Sequence, residues 1–191
     1  MVTTRNSRDD VVRAAGRLFA DRGYHGTSMR DLGKELGLLG SSLYSHVSSK
    51  QDLLVEVVEE GARLFEESAE KALAFEGTAA DRLDALIGGH VDVVIENIDV
   101  ARTFLNEARM LDAGHRSRIV DARDHYEEAF RGVIREGRDD GSFAVDVDPK
   151  TASIFILSIL NAIERWYHAD GPLDQPALVA ELTRFTRAAL S

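Results

Sequence analysis

The chain has 191 residues, with 33 Asp and Glu against 23 Lys and Arg for a formal net charge of −10, 44% hydrophobic residues, three prolines and no cysteine. That apolar fraction can bury a core, which excludes a disordered chain. The missing thiols exclude a disulfide scaffold, a cysteine nucleophile and any zinc or iron–sulfur site with sulfur ligands. No apolar run reaches the roughly 20 residues of a membrane span, and residues 1–10 lack the apolar stretch of a signal peptide. A cytoplasmic protein of one large or two small domains is expected, and the overall charge alone speaks against nucleic acid.

Helical signals run the length of the chain, with no sustained alternation of β-branched residues. Val11, Ala14, Ala15, Leu18 and Phe19 recur at helical spacing between an N-cap at Ser7 and a stop at Gly23. Thr27 or Ser28 caps a short second helix over 28–36, closed by Gly37, and a third short helix covers 39–45. Ser48 or Ser49 caps a long helix over 50–73. Further amphipathic stretches cover 79–97, 99–111 and 115–138. Asp148-Pro149 opens a helix to about 168 by a cap and a first-turn proline, and 174–190 forms the last. The expected fold is all-α with about nine helices: an N-terminal three-helix helix-turn-helix head and a C-terminal helical body.

Charge divides along the same line. Residues 1–50 hold eight basic and five acidic side chains, a balance of +3, while 51–191 hold 15 and 28, a balance of −13. Such asymmetry points to nucleic-acid contact by the basic part. Two short helices about Gly37 have helix-turn-helix geometry, which lets the second enter the major groove while the first crosses the backbone. Thr27 and Ser28 place hydroxyls and free N–H groups at a helix N-terminus, a seat for phosphate. The third helix has a small polar face of Gly40, Ser41, Ser42 and Ser45, suited to close approach to base edges. Tyr44 and His46 can reach phosphates or bases, and Lys50 adds a cation. The same pattern also fits an ordinary helical hairpin with a solvated face.

Residues 12–54 carry Ala14-Ala15, Leu18-Phe19, Gly23-Tyr24, Gly26-Thr27-Ser28, Arg30-Asp31-Leu32, Leu36-Gly37, Leu43-Tyr44, His46, Ser49-Lys50 and Leu53-Leu54. In order and spacing this block resembles the N-terminal domain of the TetR family of transcriptional regulators. The resemblance implies a DNA-binding domain over 1–50 and an effector-binding, dimerising domain over 51–191. Carried over by position, it implies DNA contacts at Thr27, Ser28, Ser41, Ser42, Tyr44, His46 and Lys50. The chain departs from the family pattern at Leu39 and Gly40, where a hydroxyl and a long polar side chain are usual. It departs again at Val47 and Ser48, in place of Phe and Pro. Those departures bear on the operator sequence.

A head this small reads one half-site, so a homodimer is expected. The stretch 154–166 is apolar almost all round and needs cover on both sides. With the final helix it supplies the interface candidates Phe155, Ile159, Ile163, Leu178, Leu182 and Phe185. The effector-pocket candidates are Asn106, Glu107, Arg109, Arg123, Tyr126, Asn161, Arg165 and Trp166. Residues 104–107, 137–143 and 161–167 are similar to the FadR-like branch of the family, which implies a fatty acyl-CoA or related thioester as effector. Other apolar or aromatic ligands remain open.

No Glu-x-x-His pair, phosphate loop or nucleophile elbow occurs. Neither an enzyme nor a metal or cofactor is expected. The expected function is a ligand-responsive DNA-binding regulator, a repressor released from its operator by effector. The competing reading is a helical ligand-binding or scaffold protein whose head has lost operator binding, hinted at by Leu39 and Gly40.

Overall fold

The computed structural model describes residues 7–38, 43–44 and 47–191. The described residues form eight α-helices and no strand: α1 (Arg8–Arg22), α2 (Met29–Leu36), α3 (Lys50–Leu73), α4 (Ala79–Glu96), α5 (Ile98–Glu107), α6 (Ala113–Asp140), α7 (Pro149–Trp166) and α8 (Gln175–Ala189). A 3₁₀ turn, Ala108–Met110, follows α5. The expected third helix lies largely outside the described residues.

Side-chain caps decide where these helices begin. Ser7, Ser28 and Thr78 each accept from the backbone N–H three residues on, and Asp10, Asp31 and Asp81 reach back to the cap's own N–H. Each box satisfies two donors that a helix start leaves orphaned. Asp10 is held down to about 2 by the Ser7 backbone hydrogen bond and then by Arg13. Asp148 and Asp174 cap α7 and α8, each with a proline in the first turn. Ser49 rather than Ser48 caps α3, accepting from Asp52 N–H at 3.1 Å. Asp112 does the same for α6 at His115 N–H, so His115 sits inside the first turn.

The chain forms two compact units. The first comprises the described residues up to Ala62 and Asp99–Val120; the second comprises Arg63–Ile98 and Asp121–Ser191. Helices α3 and α6 contribute residues to both. The first unit buries Val11, Phe19, Leu32, Leu43, Leu54 and Phe104. Gly61 of α3 lets α5 approach closely, since a Cβ there would stand 2.6 Å from Phe104 Cβ. Thr103 ties α5 to α1, donating to Gly16 O at 3.3 Å.

The second unit buries Leu83, Ile87, Phe130, Ile134, Leu160 and Ile163. Ion pairs tie its helices at the edge: Arg187 of α8 to Asp84 of α4, and Arg82 of α4 to Glu136 of α6. Helix α7 has two apolar faces. Ile156, Leu160 and Ile163 are buried, whereas Ile154, Phe155 and Ile159 are exposed.

Candidate nucleic-acid interface

Helix α1 ends at Gly23, whose φ of 73° is one that residues with a side chain rarely adopt. The chain then turns through Tyr24, His25 and Gly26 to the cap of α2. Gly37, at φ 64°, closes α2 with its N–H on the Gly33 and Lys34 carbonyls. The first helix of the motif is therefore delimited by a capping box at one end and a left-handed glycine at the other.

The predicted contact residues fall into three groups. Ser41, Ser42 and His46 lie outside the described residues. Ser28 and Tyr44 are exposed, Tyr44 by 57%. Ser28 Oγ accepts from Asp31 N–H, and the Asp31 carboxylate takes the Ser28 N–H and hydroxyl in return, so these donors are not the free ones expected at a phosphate seat.

Thr27 and Lys50 sit otherwise than their assignment as contacts requires. Thr27 is 2% exposed, and its hydroxyl donates to Leu18 O at 3.1 Å and Gly23 O at 3.0 Å. A buried hydroxyl so engaged closes the turn and does not face a phosphate. Lys50 turns inward as well. Its Nζ donates to Tyr24 O at 2.8 Å and Thr27 O at 2.9 Å, and lies 4.0 Å from the centre of the Tyr24 ring. Two donors and a cation–π contact fix this ammonium against the turn.

Tyr24 is the centre of the arrangement. Its ring packs against Phe19, its OH donates to Gln51 Oε1 at 2.8 Å, and burial raises its phenol pKa. In the sequence it carries the family resemblance without an assigned role. Arg30 and Lys34, absent from the expected contacts, are exposed on α2, the helix that crosses the phosphate backbone in this motif. Four other head cations are in ion pairs: Arg8 with Glu56, Arg13 with Asp10, Arg17 with Glu35, and Arg22 with Asp21.

The effector candidates are divided between the two units. In the first unit, Asn106 donates to Arg102 O on its own helix, Glu107 accepts from Tyr24 N–H, and Arg109 is exposed. In the second, Arg165 pairs with Glu164, Trp166 stands exposed, and Asn161 and Arg123 are half-buried. Desolvation lowers the Arg123 pKa. Tyr126 is buried, its OH 3.1 Å from His90 Nδ1, with Phe65 and Phe130 packed about it. Burial pushes the His90 ring down to about 3 and raises the Tyr126 phenol.

The interface candidates divide cleanly. Phe155, Ile159 and Phe185 are exposed, at 65%, 38% and 57%. They line an apolar groove of about 430 Å³ between α7 and α8, with Ala152, Ile156 and Ala189. Ile163, Leu178 and Leu182 are buried within the chain's own core and are corrected to that role. Their helical stripe faces the neighbouring helices of the same unit, since α4 packs against both α7 and α8.

Two family descriptions match this chain. "Bacterial regulatory proteins, tetR family" matches residues 11–57, and "Tetracyclin repressor-like, C-terminal domain" matches residues 76–190. The chain is 27% identical over 167 residues to the HTH-type transcriptional repressor KstR2 of Mycolicibacterium smegmatis, covering 87% of this chain and 82% of that protein. It is 23% identical over 169 residues to the fatty acid metabolism regulator protein of Bacillus subtilis, covering 88% and 87%. The fold matches the crystal structure of AibR in complex with isovaleryl coenzyme A and operator DNA with a TM-score of 0.85 at 23% identity, covering 93% and 96%.

Proposed function

This chain belongs to the TetR family of bacterial regulators, and on that premise we propose that it is a homodimeric repressor, released from operator DNA by an acyl-CoA-type thioester. The observation that carries the DNA-binding part is the family match over residues 11–57. It coincides with an α2 that is capped at its start and closed by a left-handed glycine. The DNA-binding domain is assigned to residues 1–50 and the effector and dimer functions to 51–191. Operator DNA places its work in the cytoplasm, and the role is regulatory rather than catalytic.

Within the head, the proposed contacts are Ser28, Ser41, Ser42, Tyr44 and His46, with Arg30 as a further phosphate cation. Thr27 and Lys50 hold the turn behind them. The exposed Phe155, Ile159 and Phe185 are proposed to meet their two-fold mates, a face too apolar to leave in water. The effector reading draws on the fatty acid metabolism regulator among the relatives and on the coenzyme A thioester held by AibR.

Titrating the protein against DNA upstream of its own gene at several salt concentrations tests the reading. Affinity should fall steeply as salt rises, because phosphate contacts release counterions. Salt-independent binding, or none, refutes it. Adding a series of acyl-CoA chain lengths to the preformed complex tests the effector. Release by an unrelated apolar compound and by no thioester refutes that part.

A further inference from the structure

Tyr24 lies in the turn that launches α2, and each of its polar groups has a partner from beyond the turn. Lys50 takes its carbonyl and Gln51 its hydroxyl. Its N–H, which follows the left-handed Gly23, donates to Glu107 Oε2 at 3.2 Å. Gln51 in turn donates its Nε2 to Met110 O at 3.4 Å. The last residue of α5 and the 3₁₀ turn after it thus reach the head twice, once directly and once through Gln51. All these residues belong to the first compact unit, although Glu107 and Met110 lie more than fifty positions beyond the DNA-binding segment. The sequence reading placed Glu107 in an effector pocket, whereas its carboxylate is spent on the head.

We infer that Glu107 is a positioning residue for operator reading: its carboxylate, hydrogen-bonded to the Tyr24 amide, sets the turn from which α2 enters the DNA-binding motif. The inference rests on the operator-binding reading above. Glu107 touches no DNA. It acts by raising the fraction of heads whose α2 starts in the binding orientation, which multiplies apparent affinity. Because an amide donor is being held, any acceptor of the same reach should serve.

The test compares full-length wild type, Glu107→Ala and Glu107→Gln for operator affinity, salt dependence and melting temperature. Alanine should weaken operator binding roughly tenfold to a hundredfold, the range for losing a hydrogen bond to a charged group. Glutamine, whose carbonyl can accept from Tyr24 N–H, should restore affinity to within about threefold of wild type. The slope of affinity against salt should stay the same in both, since no phosphate contact is lost. Hydrogen exchange at the Tyr24 amide should quicken in the alanine variant alone. Affinity unchanged in the alanine variant, or lost equally in the glutamine variant, overturns the inference while leaving wild-type operator binding intact. A wild type that binds no operator overturns the functional reading instead. Should Glu107→Ala fail to fold, Glu107→Met, which keeps the side chain's bulk and removes the oxygen acceptor, is judged by the same readouts.

Discussion

Replacing Phe155 with alanine is expected to dissociate the dimer and leave the fold standing. The ring is 65% exposed in the single chain. Of the roughly 200 Å² that a phenylalanine can bury, about 130 Å² therefore remain to be covered by a partner. At about 25 cal/mol per Å² that cover is worth about 3 kcal/mol. Alanine keeps part of the contact, so the loss is about 2 kcal/mol per copy, and a two-fold interface repeats it for about 4 kcal/mol in all. At 1.4 kcal/mol per tenfold, the dimer dissociation constant should rise roughly a thousandfold. Sedimentation equilibrium across a concentration series measures it. An unchanged constant would place the interface elsewhere.

Ile163 supplies the control. It stands on the same helix and is 0% exposed. Its alanine variant should lower folding stability by about 2–5 kcal/mol through the cavity it leaves. It should do so without the selective dissociation expected of Phe155→Ala. If Ile163→Ala dissociated the dimer at an unaltered melting temperature, the division of α7 into an inner and an outer face would be refuted.

Lys50→Met should weaken operator binding while leaving the salt slope unchanged, because the ammonium serves the Tyr24 and Thr27 carbonyls. A slope reduced by about 0.9 would instead make Lys50 a phosphate contact. Folding stability should fall as pH drops from about 6.5, where an unfolded histidine takes a proton, towards about 3, where buried His90 does. The folded pKa is the lower one, so the contribution is present above pH 6.5 and lost on acidification. Denaturant melts of wild type and His90→Gln between pH 7 and pH 5 should show the steeper slope in the former. Below about pH 5 the unfolded carboxylates take protons, and acids held below 3.8, such as Asp31 and Asp81, add a slope common to both proteins. Equal slopes in both proteins would contradict it. Gly61→Ala puts a Cβ 2.6 Å from Phe104 Cβ and should destabilise the chain by about 1–3 kcal/mol through overpacking. A melting temperature equal to wild type would count against that close approach.

The helices were legible because their signals are local. Ser7, Ser28 and Asp148 are caps in the sequence and caps in the structure, and Gly23 and Gly37 stop their helices as expected. Misjudged ends have local causes too. α5 stops at Glu107 because the next three residues tighten into a 3₁₀ turn, and apolar spacing alone does not separate the two forms. The faces of α7 were harder. An all-apolar helix announces that it is covered on both sides, but not which side is covered by its own chain. Phe155 and Ile163 are indistinguishable in sequence, yet one is exposed and the other sealed.

The head's charge balance misled in a similar way. Of its eight cations, Arg8, Arg13, Arg17 and Arg22 are spent on carboxylates and Lys50 on backbone carbonyls, so a balance of +3 says little about which side chains face DNA. The bonds that organise the turn run largely to main-chain atoms: Thr27 to Leu18 O, Lys50 to Tyr24 O, Glu107 to Tyr24 N. A main-chain partner leaves no complementary residue type behind. A glutamate 83 positions away from the amide it holds therefore looks like any other acid on a helix. A polar residue in the motif is as apt to hold the turn as to read DNA, and here Thr27 and Lys50 hold it. On the proposed reading, residues that a motif comparison would assign to the contact surface serve instead to hold the turn that starts α2.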